Sequence, residues 1–252
     1  MKRRNNRKRK TALKRIDAFD FQAGRRFVGK YEVLGKLGGG WEGEVYRVIE
    51  TATGIERAAK FFFPHRNERN RAVTFYAKKL NNLRNCPIVI QYHTQESMWY
   101  RGHRITFLIS EYVEGTLLSE FLKRQPGKRL PAYEALHLFH ALACGMDVIH
   151  RFREYHGDLH PDNVIVRRLG ISFDVKLVDM FHWGSPSAAN IREDVIDLIK
   201  LFHECLGGQK HYAKLRPEIK AIICGLKRTL ITAKFKTAGK LREHLETMEW
   251  DS

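Results

Sequence analysis

The sequence predicts an α+β fold in which a small antiparallel β-sheet with one helix precedes a mainly helical region. Short segments with strand-like alternation and glycine-containing turns fill the first half, up to about Val113. Apolar residues recur at helical spacing through most of the second half, from about Pro131. The dipeptide Glu114-Gly115 separates the two patterns. We therefore expect a smaller lobe over about 19–113 and a larger one over about 114–252.

Three segments of the first half alternate with the period of a strand and are separated by glycine turns. They are residues 31–37, 44–51 and 55–63. A helix is predicted next, over about residues 68–84, with an apolar face made of Ala72, Phe75, Tyr76, Leu80 and Leu83. Two further strands, 88–100 and 104–113, form a predicted hairpin around Gly102.

The second half is expected to be helical around one short pair of strands. A long helix is predicted over about 131–152, with Pro131 suited to its first turn. Short strands over 164–166 and 175–178 follow. Two more apolar stripes, from Val195 to Leu206 and from Ile219 to Leu230, predict further helices.

Charge is concentrated at the beginning of the chain. The 252 residues carry a formal net charge of +17, and nine positive charges fall within the first fifteen residues, before the first acid at Asp17. We predict a disordered basic arm over residues 1–18, followed by a folded domain over 19–252. The arm could attract nucleic acid or an anionic surface, or it could act only as a solubilising tail.

Apolar segments and cysteines bear on the compartment of the protein. No apolar core follows the arm, as a signal peptide would require, and no apolar run approaches the length of a membrane span. The cysteines show no paired spacing, which favours reduced thiols; they are Cys86, Cys144, Cys205 and Cys224. We expect a cytoplasmic protein without a membrane span.

The loop His156-Gly157-Asp158-Leu159-His160-Pro161-Asp162-Asn163 is the strongest chemical signal in the chain. It sets a candidate general base, Asp158, five residues before Asn163, whose amide can ligate Mg²⁺. The alternative is a solvated turn without a catalytic role. The loop resembles the catalytic loop H-R-D-L-x-x-x-N of the protein-kinase superfamily.

A glycine-rich segment lies between the first two of the three strands. Gly38-Gly39-Gly40-Trp41-Glu42-Gly43-Glu44-Val45 fits the kinase pattern G-x-G-x-x-G-x-V, in which Gly38, Gly40 and Gly43 let backbone N–H groups approach phosphate. An ordinary hairpin is the alternative, and the following strand argues against a dinucleotide-binding fold.

Further positions extend the resemblance. Ala58 and Lys60 share a strand face in the manner of V-A-I-K, so Lys60 would pair with phosphate while Ala58 and Val45 cover adenine. Alternatively, Lys60 is a solvent-facing charge.

Residues 110–115 look like a kinase hinge, where backbone groups of Glu111 and Val113 would bind adenine; the alternative is an ordinary strand end. Asp179 follows a strand where the family carries D-F-G, and would bridge Mg²⁺ to the phosphates.

The resemblance covers roughly residues 31–250 and implies a bilobal protein-kinase-like fold. It implies an ATP-dependent phosphotransferase of the serine/threonine protein-kinase type, acting on a hydroxyl acceptor with ATP and Mg²⁺. By resemblance, Asp158 and Lys60 are the catalytic residues and Asn163 and Asp179 the metal ligands, while His156 matches the structural histidine of the family.

The chain also departs from the family pattern in ways that keep two other functions open. His160 replaces a lysine, and only fourteen residues separate Asp179 from Asp194, too few for a full activation segment. Both features favour a small-molecule or sugar- or lipopolysaccharide-type kinase. The predicted helix lacks the expected glutamate near Tyr76. Glu68, at its start, is the only acid on that helix; it could pair with Lys60, or it could simply favour the helix N-terminus. The absence of the expected glutamate favours a nucleotide-binding pseudokinase scaffold.

Overall fold

The strands of the first half form one six-stranded sheet, in the spatial order β1-β2-β3-β4-β6-β5. Strands β1 to β4 pair antiparallel with their sequence neighbours. This confirms the predicted sheet, although the predicted hairpin begins at residue 92 and not at residue 88. The six strands are β1 (Arg26–Phe27), β2 (Tyr31–Gly39), β3 (Gly43–Glu50), β4 (Glu56–Phe62), β5 (Tyr92–Tyr100) and β6 (His103–Glu111).

The computed structural model describes residues 14–181 and 184–249. Within them the chain divides into two compact units. The first unit comprises residues 14–74 and 93–110 and contains most of the sheet. The second unit comprises residues 75–92 and the described residues from 111 onward, and it is mainly helical. An antiparallel sheet region followed by a helical region confirms the predicted α+β class.

An aromatic cluster packs one face of the sheet in the first unit. Tyr46 and Phe61 are fully buried because alternate residues of β3 and β4 point to the same face. The ring of Phe61 stacks on that of Phe107 with centroids 4.6 Å apart. Phe19 and Phe21, which precede β1, pack into the same cluster.

The predicted basic arm is described only over residues 14–18. Ile16 lies there and is buried in the aromatic core, so packing begins before residue 19. Residues 1–13, which carry most of the positive charge of the arm, lie outside the described residues. The expected contacts of the arm with nucleic acid or an anionic surface therefore remain predictions.

Helices make up most of the second unit, around a small sheet of order β7-β8-β9. The long helix predicted over 131–152 is present, and the ring of its Phe139 stacks on that of Phe202 at 4.2 Å. The strands are β7 (Thr116–Leu117), β8 (Val164–Leu169) and β9 (Ser172–Leu177); the helices are α1 (Arg71–Asn82, whose first turn belongs to the first unit), α2 (Leu118–Lys123), α3 (Ala132–Arg151), α4 (Ala188–Cys205), α5 (Gln209–Tyr212), α6 (Pro217–Ile223), α7 (Arg228–Lys234) and α8 (Ala238–Thr247).

Two predicted helices have different limits in the structure because the backbone leaves the helical region. Arg69 and Asn70 have φ values of 53° and 59°, so the helix expected from residue 68 starts only at Arg71. The last apolar stripe is divided between α6 and α7, since Cys224 and Leu226 have φ values of 53° and 57°. Side-chain periodicity does not reveal such left-handed residues.

In the described part of the chain, no helix combines the length and the apolar character that a bilayer span needs. The four cysteines are free; Cys86 and Cys205 are buried, and Cys144 and Cys224 are half-buried.

Candidate active site

The second unit brings the two predicted metal ligands to the same end of a hairpin. Strands β8 and β9 pair antiparallel, with Val164 opposite Leu177. Asn163 directly precedes the first of these strands and Asp179 closely follows the second, so both leave the hairpin at one end. The backbone N–H of Val178 donates to the carbonyl of Asn163 at 3.0 Å. This bond places the two candidate ligands beside each other.

The candidate base and Asn163 are joined within the loop. The side-chain amide of Asn163 donates to the carbonyl oxygen of Asp158 at 2.8 Å and approaches Oδ2 of the same residue at 3.4 Å. Because the amide nitrogen serves the loop, the amide oxygen is the atom through which Asn163 can ligate a cation. The Asp158 side chain is 53% exposed and therefore accessible to an acceptor.

His160 closes this loop from the side. Its Nε2 lies 2.9 Å from the Asn163 amide nitrogen and 3.6 Å from Oδ2 of Asp158. Because the Asn163 amide nitrogen is a donor, Nε2 accepts its hydrogen bond, so the ring contacts the amide and does not hydrogen-bond to the carboxylate. The residue that departs from the kinase pattern is thus part of the candidate site.

A buried carboxylate anchors the loop to helix α4. Asp194 is fully buried and accepts the backbone N–H groups of His156 and Gly157, both at 2.8 Å. It also lies 3.2 Å from Nε2 of His150. These contacts fix the backbone immediately before Asp158. A buried carboxylate needs hydrogen-bond donors, and here two of them are backbone N–H groups of the loop.

His156 links the loop to the end of β9. The side chain is fully buried, and its Nε2 lies 3.0 Å from the carbonyl oxygen of Val178. Burial lowers the pKa of His156, so the neutral ring donates one hydrogen bond to that carbonyl. A histidine buried in this way suits the structural role that the resemblance implied and not that of a base.

The backbone at Asp179 is in the left-handed region, with φ of 54°. Its N–H donates to the hydroxyl of Tyr76 at 3.2 Å. Tyr76 stands on α1 where the resemblance leads us to expect a glutamate. Helix α1 therefore contacts the candidate metal ligand Asp179 through a hydrogen bond between the Tyr76 hydroxyl and the backbone N–H of Asp179.

Lys79 is a buried cation that the sequence analysis missed. It is 1% exposed, and its Nζ donates to the carbonyl of Phe181 at 2.8 Å. The ammonium group also lies 4.0 Å from the ring centroid of Tyr155, whose hydroxyl donates to the carbonyl of Gly184. A signal was present, since Lys79 follows Phe75 by four residues and so falls on the apolar face of α1.

Burial lowers the pKa of Lys79 from the ordinary 10.5 to about 8, against the attraction of Glu154 and Asp194. The folded state therefore binds this proton more weakly than the unfolded state, and the penalty for burying the charge disappears as pH rises from 8 to 10.5. We expect the free energy of unfolding of the native protein to rise by about 3 kcal/mol relative to Lys79→Met over this range.

Urea unfolding at a series of pH values measures this difference. Lys78→Met is the matched control, because Lys78 is the exposed neighbour on the same helix and its variant should follow the native profile. Parallel profiles for the native protein and Lys79→Met would contradict the prediction.

Three of the predicted nucleotide-binding residues lie in the first unit, on one face of the sheet. Val45 lies opposite Lys60 and Arg47 opposite Ala58 in the β3–β4 ladder, so Val45, Ala58 and Lys60 share a face. The aromatic cluster occupies the other face. The predicted grouping of these side chains agrees with the register.

Lys60 forms an ion pair that the sequence analysis did not anticipate. Its Nζ lies 3.1 Å from Oε2 of Glu42, with side chains 12% and 26% exposed. Glu42 belongs to the glycine-rich segment. Glu68, the acid considered earlier, is exposed and forms no ion pair with Lys60 among the described residues. Of the two possibilities for Glu68, the pairing with Lys60 is therefore not found; Glu68 lies in a 3₁₀ turn before the helix begins.

The glycine-rich turn is tight and has a steric requirement for one of its glycines. The N–H of Gly40 donates to the carbonyl of Gly43 at 2.9 Å. A Cβ at Gly43 would lie 1.9 Å from the carbonyl oxygen of Phe61, so no other residue fits there. Gly38 and Gly40 have open space around them, as a segment that admits a phosphate requires.

A cavity of about 540 Å³ lies beside this turn in the first unit. It is lined by Lys36 and Glu44 and not by Val45, Ala58 or Lys60, so it is not the predicted adenine surface. The ion pair between Lys36 and Glu44, at 2.6 Å, bridges the two strands that flank the turn. Glu44 also accepts the backbone N–H of Phe19 at 3.1 Å, which ties the start of the domain to the glycine-rich segment.

The predicted hinge residue Glu111 is held by its neighbours in the second unit. Its N–H donates to the carbonyl of Gln91 at 2.9 Å, and its carboxylate pairs with Lys176 at 2.8 Å. Ser110 is buried at the end of the strand. The backbone there is firmly placed, whereas the binding of adenine by Glu111 and Val113 remains a prediction.

These elements define a member of the protein kinase class. The sequence of residues 31–194 matches the protein kinase domain family, and the chain belongs to that family. A double mutant of the PknI kinase domain of Mycobacterium tuberculosis has a similar fold, with a TM-score of 0.66 and 20% identity over 90% of this chain and 98% of that one. The resemblance inferred from the motifs is confirmed.

Curated relatives are kinases from plants and bacteria. Cyclin-dependent kinase B2-2 of Arabidopsis thaliana is 27% identical over 73% of this chain and 59% of its own length. The serine/threonine-protein kinase PknA of Corynebacterium glutamicum is 28% identical over 59% of this chain and 31% of its own length. The chain thus spans less than two thirds of the length of these relatives.

Proposed function

We propose that the protein is an ATP-dependent serine/threonine protein kinase, which transfers the γ-phosphoryl group of ATP to a hydroxyl acceptor. The observation that carries the proposal is the anchored loop of the second unit, in which Asp158 and Asn163 are joined by hydrogen bonds and Asp194 fixes the preceding backbone. A loop held in this way is pre-organised for positioning a nucleophile. The kinase relatives support the same activity.

Mg²⁺ is the metal that the donor set fits. Asn163 and Asp179 offer an amide oxygen and a carboxylate at one end of the β8–β9 hairpin, and hard oxygen donors suit this ion. When bound, Mg²⁺ supplies neutralisation of the charge on the phosphates. Val178 and Tyr76, through their bonds to Asn163 and Asp179, position the two donors.

Asp158 is the group that would receive the proton of the acceptor. As the hydroxyl oxygen of the acceptor forms its bond to the γ-phosphorus, the bond between that phosphorus and the β–γ bridging oxygen breaks and ADP leaves. The hydroxyl proton passes to the Asp158 carboxylate, and the Asn163 amide holds the backbone of that residue through its carbonyl oxygen. The exposure of Asp158 gives a protein side chain access to it.

The first unit supplies most of the nucleotide-binding residues of the proposal, and Glu111 and Val113 of the second unit would add backbone contacts to adenine. Gly38, Gly40 and Gly43 would approach the phosphates through their N–H groups, while Val45 and Ala58 cover the base. Lys60 would pair with phosphate and is held at present by Glu42, so ATP has to compete with that carboxylate. We place this activity in the cytoplasm, in keeping with the free cysteines.

A labelled-ATP assay tests the proposal. The protein is incubated with γ-labelled ATP and Mg²⁺ alone, with a generic protein acceptor, and with a metabolite pool. Label on protein serine or threonine supports a protein kinase. Label on a metabolite alone would overturn the choice of a protein acceptor and favour a small-molecule kinase. Two sequence features favour that alternative, namely His160 and the short segment after Asp179. No label in any arm, with ATP still bound, would overturn the activity and favour a pseudokinase scaffold.

A further inference from the structure

A cluster of metal-ligating side chains lies between helices α3 and α8, both within the second unit. His140 and Cys144 are one helical turn apart on α3, and Glu246 is on α8. One ligand atom from each lies within 4.8 Å of the others. In residues 14–181 and 184–249, this is the one group of at least three such side chains found at this spacing. The kinase chemistry proposed above uses none of these residues.

The distances in the cluster resemble those between ligands around one tetrahedral ion. Nε2 of His140 lies 3.1 Å from Oε1 of Glu246 and 3.5 Å from Sγ of Cys144. Bonds of about 2.0–2.3 Å at tetrahedral angles place nitrogen and oxygen ligands about 3.4 Å apart, and nitrogen and sulfur ligands about 3.6 Å apart. Sγ is also 3.9 Å from Nδ1, so the ring has to turn slightly to direct a lone pair at a shared ion.

Surrounding groups suit a bound cation. Arg242 donates to both oxygens of Glu246, at 3.3 and 3.4 Å, and so orients the carboxylate as an outer partner of a ligand does. Sulfur binds such an ion as a thiolate, so the thiol proton of Cys144 is released when the sulfur–metal bond forms.

A cavity borders His140, although it is not lined by Cys144 or Glu246. It has a volume of about 190 Å³ and is lined by His140 itself and by residues of both helices, including Leu136 and Leu245. It is large enough to hold a water molecule next to the imidazole. Three protein ligands and one water make up a coordination that zinc adopts in proteins.

We propose that His140, Cys144 and Glu246 bind a zinc-class divalent cation, which ties α8 to α3. The mixed nitrogen, sulfur and oxygen donors select zinc and its chemical relatives over Mg²⁺ or Ca²⁺, which prefer oxygen alone. The cation stabilises the end of the domain and takes no part in phosphoryl transfer.

Cobalt titration of the full chain tests the site directly. Co²⁺ replaces zinc in tetrahedral sites and gives a thiolate-to-metal charge-transfer band when sulfur is a ligand. We expect this band in the native protein and its loss in Cys144→Ala. His140→Ala and Glu246→Gln should weaken binding more than about 100-fold, since loss of an outer-shell partner alone weakens a site about 10- to 100-fold.

Two matched variants control for unspecific effects. Cys224→Ala removes the other half-buried thiol, and Glu243→Gln removes a carboxylate of α8 outside the cluster; both should bind like the native protein. Zn²⁺ should displace Co²⁺ and raise the midpoint of thermal unfolding in the native protein and both controls, but not in Cys144→Ala. Absence of the band, or equal binding in Cys144→Ala, would overturn the proposal whether or not the protein proves to be a kinase.

Discussion

Replacing Asp158 with asparagine is expected to lower the rate of phosphoryl transfer by about 10²- to 10⁴-fold and to leave ATP binding nearly unchanged. The asparagine side chain has the size of the aspartate side chain, but it cannot take up the proton of the substrate hydroxyl group. Asp158 lies on the loop, in the second unit, whereas the proposed glycine, Val45, Ala58 and Lys60 contacts to ATP belong to the first. Single-turnover transfer and equilibrium nucleotide binding, measured on the same preparation, check the prediction.

Asp162→Asn is the matched control for Asp158→Asn. Asp162 is an exposed carboxylate of the same loop, hydrogen-bonded to Ser119, and it has no part in the proposed proton transfer. Its variant should retain most of the activity. Full activity of Asp158→Asn would remove the residue from the mechanism, and a loss of ATP binding in that variant would indicate damage to the fold.

Asp194→Ala is expected to lower the free energy of unfolding by about 3–5 kcal/mol, the range for removing one partner of a buried charged network. The substitution leaves the N–H groups of His156 and Gly157 without their acceptor and deprives His150 of its carboxylate. Because these bonds fix the backbone before Asp158, transfer activity should fall as well, even at temperatures where the variant stays folded.

Denaturant unfolding and activity below the unfolding transition measure the two effects. Glu193→Ala, one position earlier on α4, is the control, because Glu193 pairs with Arg228 at the surface with side chains 42% and 60% exposed. An exposed pair of this kind contributes about 0–1 kcal/mol. Similar losses in the two variants would show that Asp194 does not anchor the loop.

Much of the fold was predictable because local patterns and tertiary structure agree. The alternation of β4 placed Ala58 and Lys60 on one face, the resemblance added Val45, and the register of the ladder has the same grouping. The loop motif indicated Asp158 and Asn163 as neighbours, and their hydrogen bonds join them. Such features depend on residues close in sequence or on a strict period of two.

Other features depended on contacts that no local pattern contains. The pairing of Lys60 with Glu42 arises from the fold of the glycine turn, and left-handed residues before α1 keep Glu68 away from the helix. Lys79 was missed for another reason, since its position on the apolar face of α1 was a local indication of its burial against Tyr155. The cluster at Glu246 joins residues more than a hundred positions apart. The catalytic and binding roles of the site residues stay predictions.

The hydrogen bond between the Asp179 N–H and the Tyr76 hydroxyl of α1 should depend little on salt concentration or pH. An ion pair between a carboxylate on this helix and an ammonium group would be weakened by added salt, and by acid that protonates the carboxylate. The bond from the Asp179 N–H to a phenol oxygen carries no net charge on either side, so neither ionic strength nor mild acidity should loosen it. This hydrogen bond should therefore keep the backbone of the candidate metal ligand Asp179 in contact with α1 at salt concentrations and pH values that would weaken an ion pair.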